Sequence, residues 1–140
     1  GAIKLNGAGL ANADHFTGAN LADADLSNSE LTADGANDAT IDFSEADLAN
    51  ADLSGSKLVA DSGGYGDARI DFSDANLTNS DLSGSTLTAT GDDTATIDFA
   101  GANLANADQA NLANADLSGS TLTATGNDGG YDAATIDFTE

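Results

Sequence analysis

A chain of 140 residues and 13.8 kDa predicts a single domain, and its formal charge of −21 rests on 24 acidic residues against only Lys4, Lys57 and Arg69. That charge opposes contact with nucleic-acid phosphates or anionic lipid, so no nucleic-acid partner and no membrane insertion are expected. The absence of Cys excludes a disulfide framework, a zinc cluster and a thiol nucleophile, and no run approaches the 18 apolar residues of a membrane span.

In chain order, Ile3-Lys4-Leu5 reads as a degenerate first copy of a triplet that returns as Ile41-Asp42-Phe43, Ile70-Asp71-Phe72, Ile97-Asp98-Phe99 and Ile136-Asp137-Phe138. Leu10-Ala11-Asn12-Ala13-Asp14 follows, and His15 then stands where an inward Leu is expected. A polar residue there predicts a local bulge before Ala19-Asn20-Leu21, and no role as ligand or base. The next copy steps by five through Ile41/Phe43, Ala46/Leu48, Ala51/Leu53 and Ser56/Leu58, and the one after it through Ile70/Phe72, Ala75/Leu77, Ser80/Leu82 and Ser85/Leu87. An apolar residue at every fifth position, with a small one two before it, fits neither the 3.6-residue period of a helix nor the 2.0 of a strand. It predicts a chain that turns a corner every five residues, with the paired residues inside and the one between them outside.

Ser85 to Phe99 alternates on both sides of Gly91-Asp92-Asp93, which predicts two longer strands meeting at a hairpin-like corner. Leu87, Ala89, Ala95, Ile97 and Phe99 are expected inside; Thr86, Thr88, Thr90, Thr94, Thr96 and Asp98 are expected outside. Corresponding corners carry Asp34-Gly35-Ala36-Asn37-Asp38, Asp61-Ser62-Gly63-Gly64-Tyr65-Gly66-Asp67 and Gly126-Asn127-Asp128-Gly129-Gly130-Tyr131-Asp132, so loop length is expected to vary on this edge alone. Gln109 repeats the position of His15 late in the chain. Counting from Ile3 through Ile41, Ile70 and Ile97 to Ile136 gives steps of 38, 29, 27 and 39 residues, hence coils over 3–40, 41–69, 70–96 and 97–135 and the start of a further strand over 136–140. Repetition of this kind is the mark of a solenoid.

The triplets Ala19-Asn20-Leu21, Ala46-Asp47-Leu48, Ala75-Asn76-Leu77 and Ala102-Asn103-Leu104 resemble the A-(D/N)-L-x-x motif of the pentapeptide-repeat family. The resemblance implies a right-handed quadrilateral β-helix with four pentapeptides per coil. This chain departs from it in running only three units of five together before a longer segment. The fold class expected is therefore all-β: a right-handed parallel β-solenoid of about four coils, with one elongated, loop-bearing corner per coil.

Stacked coils place equivalent residues about 4.8 Å apart. One outward row is then Asp42, Asp71, Asp98 and Asp137, and a second is Asp25, Asp52, Asp81 and Asp116. Neighbouring carboxylates at that spacing repel by roughly 0.9 kcal/mol in water and about four times as much at an effective dielectric of 20. Such rows call for Asx hydrogen bonds to backbone N–H groups, raised pKa values or bound cations. Calcium held by these eight residues and by Asp128 in the Gly-rich tip is the cofactor the rows admit, and none is required.

No Ser-His-acid set, HExxH or phosphate loop is written, and the interior is expected to be filled, so the chain reads as a non-enzyme. With no polar cap written at either end, a rod of this kind is expected to polymerise head to tail with itself, Ile3, Leu5 and Leu10 of one copy adding to Ile136 and Phe138 of the next. The expected product is an extracellular or cell-surface filament. Two alternatives stand beside it. Some pentapeptide-repeat proteins are acidic rods that imitate DNA and inhibit gyrase, and the outward Thr86/Thr88/Thr90 and Thr121/Thr123/Thr125 would suit ice binding.

Overall fold

Alternation of buried Leu or Ala with outward polar residues makes the longer segments strands, and repetition of the alternation makes them stack. The computed structural model describes residues 4, 7, 9–11, 15–63, 66–82, 84–91, 93–100, 121–126 and 133–137. Among the described residues there is no helix. Strands β1 (Gly9–Ala11), β2 (Glu30–Gly35), β4 (Lys57–Ser62), β6 (Thr86–Gly91) and β8 (Thr121–Gly126) form one parallel sheet in that order. Strands β3 (Ala39–Asp42), β5 (Ala68–Asp71), β7 (Thr94–Asp98) and β9 (Ala133–Asp137) form the second, also parallel. Parallel partners taken from successive passes of the chain are the geometry of a β-solenoid.

Register matches like with like. Leu31, Leu58, Leu87 and Leu122 align in the first sheet, and Ile41, Ile70, Ile97 and Ile136 in the second. Leu31, Leu58, Leu87, Ile41, Ile70 and Ile97 are buried in the interior, with Phe43, Phe72 and Phe99 in face-to-face stacks at centroid distances of 5.0 and 4.9 Å. In-register stacking forces this near-parallel ring geometry, where an isolated pair would prefer an offset or edge-to-face arrangement.

Two short sides complete the coil that begins at β3, and their corners are of one kind. The Ala46 N–H donates to the Phe43 carbonyl, the Ala51 N–H to Leu48 and the Ser56 N–H to Leu53, and the third residue of each turn has positive φ: Glu45 (58°), Asn50 (58°) and Gly55 (64°). This is the signature of a type II turn, which Gly and Asn occupy without strain and Glu does not. At Gly55 the missing Cβ is also a steric matter, since a Cβ would stand 2.7 Å from Asn28 Oδ1 of the coil before.

Three expectations need correction. The segment around Gly91 is no hairpin: β6 and β7 lie in different sheets, and each pairs with its equivalents in other coils. Loop length does vary at this edge, two residues separating β6 from β7 and five separating β4 from β5. His15 does not occupy an inward Leu position. It is exposed and bridges Asp42, and Phe16 takes the inward place, stacked on Phe43 at 4.7 Å. The stacking energy of two rings outweighs a bulge there. Finally, Lys4 bridges Asp25, so Lys4 heads the row of Asp25 and Asp52 and not that of Asp42 and Asp71; Ile3 and Leu5 lie outside the described residues. A cation opposite a carboxylate row is favoured over one more apolar triplet on the column.

Candidate functional site: the carboxylate ladders

The Asp-x-Ser spacing builds the site. At each corner Asp turns its carboxylate back onto the residue two positions on, closing an Asx turn. Asp42 Oδ1 accepts the Ser44 N–H at 2.9 Å and the Ser44 hydroxyl at 2.6 Å. Asp25 is held the same way by Ser27 and Asp52 by Ser54. Asp71 accepts the Ser73 N–H at 2.8 Å, and Asp98 the Ala100 N–H at 2.9 Å.

Pairing carries these turns into ladders. The first row runs His15, Asp42, Asp71, Asp98, Asp137. The second runs Lys4, Asp25, Asp52, Asp81. Each acidic row thus has a basic residue one rung before its first Asp. The third row, Asn20, Asp47, Asn76, alternates amide with carboxylate, and Asn76 Nδ2 donates to Asp47 Oδ1 at 3.0 Å. An amide ladder also climbs the neighbouring corner, from Asn79 to Asn50 and from Asn50 to Asp23.

In the first row the second carboxylate oxygens have donors from outside the row. Thr17 donates its hydroxyl to Asp42 Oδ2 at 2.6 Å. Arg69, one strand position before Ile70, turns a single guanidinium nitrogen to Asp71 Oδ2 at 2.8 Å and to Asp98 Oδ2 at 2.5 Å, bridging two rungs. Those two carboxylates are 13% and 14% exposed, so the guanidinium stands between charges largely removed from water. Lys57 pairs with Glu30 at 3.0 Å on the first sheet, in an exposed contact worth little.

Proton affinity follows from these bonds. Burial alone raises the Asp42 pKa, but the Ser44 hydroxyl, the Thr17 hydroxyl, the Ser44 N–H and the His15 charge together outweigh it and hold the group below its ordinary value. The Ser27 hydroxyl and N–H, with a smaller contribution from Lys4, lower Asp25 despite a small opposing desolvation.

The structure therefore brings Asp42, Asp71, Asp98 and Asp137 into one row and Asp25, Asp52 and Asp81 into another, and the oxygens of Asp25, Asp42, Asp52, Asp71 and Asp98 close turns. Among the described residues no group of three or more His, Cys, Asp or Glu is placed to hold a metal ion. Asp116 and Asp128 lie outside the described residues, as do Ile3, Leu5 and Phe138; Leu10 falls in β1 and Ile136 in β9. Sequence reasoning missed His15 and Lys4 at the heads of the rows and the bridging role of Arg69. The signal for His15 was present: Phe16 and Phe43 are 27 residues apart, as are Ile70 and Ile97.

Residues 40–59 and 68–90 match the family model for pentapeptide repeats, in eight copies. Among curated proteins none matches the sequence. Solved structures with some likeness include the pentapeptide repeat protein Rfr23 from the cyanobacterium Cyanothece 51142, at 22% identity over 94% of this chain and 64% of that one, with a TM-score of 0.32. Another is HetL, a pentapeptide repeat protein involved in heterocyst differentiation regulation from the cyanobacterium Nostoc sp. strain PCC 7120, at 22% identity over 86% of this chain and 72% of that one, with a TM-score of 0.21. A third is QnrB1, a plasmid-mediated fluoroquinolone resistance protein, at 18% identity, 86% and 90% coverage and a TM-score of 0.15. This chain spans less than two thirds of the length of Rfr23. Likeness at these scores carries no argument; what the family model shows is that residues 40–59 and 68–90 are pentapeptide repeats, wound into the parallel coil described above.

Proposed function

We propose that this chain is a non-enzymatic structural rod that adds to copies of itself, coil on coil, in an extracellular or cell-surface filament. One observation carries the reading. Each coil meets the next through the same parallel registers, with Leu on Leu, Ile on Ile and Phe on Phe, so the upper face of any coil is complementary to the lower face of any other. A contact that repeats by translation along an axis is heterologous and does not close, which gives a filament and not a ring. Leu10 in β1 and Ile136 in β9, each in an outer strand of its sheet, are the described residues of such a contact. Calcium enters this reading as a diffuse counterion to the −21 charge, screening like charges between copies.

Sedimentation velocity across a hundredfold concentration range, with and without millimolar calcium, tests it alongside negative-stain microscopy. Concentration-dependent growth into thin rods is expected. A monomer at every concentration, with or without calcium, sinks the proposal.

A second reading draws on the rows themselves. Carboxylates repeated at strand spacing along a rod suit mimicry of a nucleic-acid backbone, and hence a gyrase-binding protein. A supercoiling assay separates the two: inhibition by the monomer supports mimicry.

A further inference from the structure

We propose that the outward face of β6 and β8 binds ice. The two strands have one sequence, Thr-Leu-Thr-Ala-Thr-Gly, and pair in full register, Thr86 on Thr121, Thr88 on Thr123 and Thr90 on Thr125. In β6 the threonines alternate with buried Leu87 and Ala89 and are themselves half-buried at the surface. Register therefore sets out six Thr positions on a grid of about 4.8 Å between strands and about 6.6 Å along them. The pairing has no break over six residues, so the grid has the regularity of the sheet.

Three further features bear on binding at this face. Thr17, Thr78 and Thr94 spend their hydroxyls on the protein, on Asp42, Asn76 and Asp67. Thr86, Thr88 and Thr90 form no side-chain hydrogen bond among the described residues, which leaves their hydroxyls to water. The central column, Thr32, Val59, Thr88 and Thr123, carries no charge over four rungs of a molecule with one acid in about every six residues. Finally, Thr and Val are stiff at χ1, so a β-branched grid is ordered before it meets a solid surface and little entropy is lost on contact. A rigid, uncharged lattice of hydroxyl and methyl groups is matched by a partner that is itself a lattice of hydrogen-bonding oxygens. The flanking columns carry Glu30, Lys57, Asp34 and Asp61 in the earlier coils, which limits the array to two full rungs.

Thermal hysteresis and uptake of labelled protein into a growing ice hemisphere test the proposal. The unmodified chain is expected to shape ice and to show hysteresis. Thr88→Tyr, which breaks the centre of the grid, is expected to abolish both; Thr40→Tyr, on the other sheet, is expected to leave both in place. Lys57→Thr/Asp61→Thr extends the grid to a third rung and is expected to raise the hysteresis. Circular dichroism checks that each variant keeps its fold, and if Thr88→Tyr does not fold the double variant decides. Absence of ice uptake by the unmodified chain, equal loss in Thr40→Tyr, no gain in the double variant, or adsorption to crystalline cellulose in place of ice would each overturn it.

Discussion

The row through Asp42, Asp71 and Asp98 and the row through Asn20, Asp47 and Asn76 occupy equivalent outward positions on neighbouring sides of one coil, yet they handle charge in opposite ways. The first stacks acid on acid. At about 4.8 Å each neighbouring pair costs roughly 1 kcal/mol in water and several times more where solvent is excluded. It survives on donors from outside the row, Thr17 below and Arg69 across two rungs, and on the charge of His15 at its head. The second row needs no import, because the amide of Asn76 donates up the ladder to Asp47. A coil position therefore tolerates Asp or Asn equally for its own Asx turn. The difference lies between rungs, where a carboxylate only accepts and an amide both donates and accepts.

The largest effect expected on breaking this contrast is at Arg69. Arg69→Ala leaves Asp71 and Asp98, each under 15% exposed, one rung apart without their shared guanidinium. A loss of about 2–3 kcal/mol in urea unfolding is expected, the range of charge-assisted hydrogen bonds to buried groups. Arg69→Lys is expected to recover only part of it, since the ammonium is more strongly hydrated and sits on a more flexible stem than the guanidinium whose one nitrogen reaches both carboxylates. Unchanged stability in Arg69→Ala would mean the row carries its charge without the bridge. Next comes Asn76→Asp, which turns the alternating row into an acidic one. It removes the donor to Asp47 and faces two carboxylates, for an expected loss of about 1–2 kcal/mol at low salt that shrinks as salt rises.

Much of this was legible before any coordinates. The five-residue step places Ala46, Leu48, Ala51 and Leu53 inside, and all four are buried; the column of Phe43, Phe72 and Phe99 and both Asp rows follow from the same count. Strand alternation over Thr86 to Asp98 was equally readable, because a period of two has one physical meaning. What the count could not give is the phase of a degenerate copy. Ile3-Lys4-Leu5 matches Ile-x-aromatic and Ala-Asp-Leu about equally well by composition, and only the pairing of Lys4 with Asp25 separates them. His15 was misplaced for the same reason: attention to Leu spacing hid the aromatic at Phe16. The reach of Arg69 was invisible, since a long side chain crosses rungs that sequence spacing treats as separate.

The row of Asp25, Asp52 and Asp81 sharpens the comparison, because it is all acid yet has no bridging guanidinium among the contacts described. Asp52→Asn keeps the acceptor for Ser54 and places an amide donor between two carboxylates, as Asn76 does beside Asp47. The expected result is a gain of about 0.5–1 kcal/mol at low ionic strength, lost by 1 M salt. A loss of stability in this variant would show that inter-rung repulsion is already neutralised in the parent row.

The smallest expected effect is the share of acid destabilisation that belongs to Asp42. Its folded pKa lies below the unfolded value, so its contribution is present in full above about pH 4 and is lost as pH falls through the folded pKa. Asp42→Asn cannot titrate but retains an acceptor for the Ser44 N–H. Its melting temperature plotted against pH is expected to have a shallower acid limb than that of the parent, the two curves converging as pH falls through the folded pKa of Asp42. Thr17→Val removes one of the bonds that lower the pKa and is expected to give an intermediate limb, while changing nothing in the alternating row. Because burial opposes those bonds at Asp42, the separation of the curves measures how far local donors exceed the cost of removing that carboxylate from water.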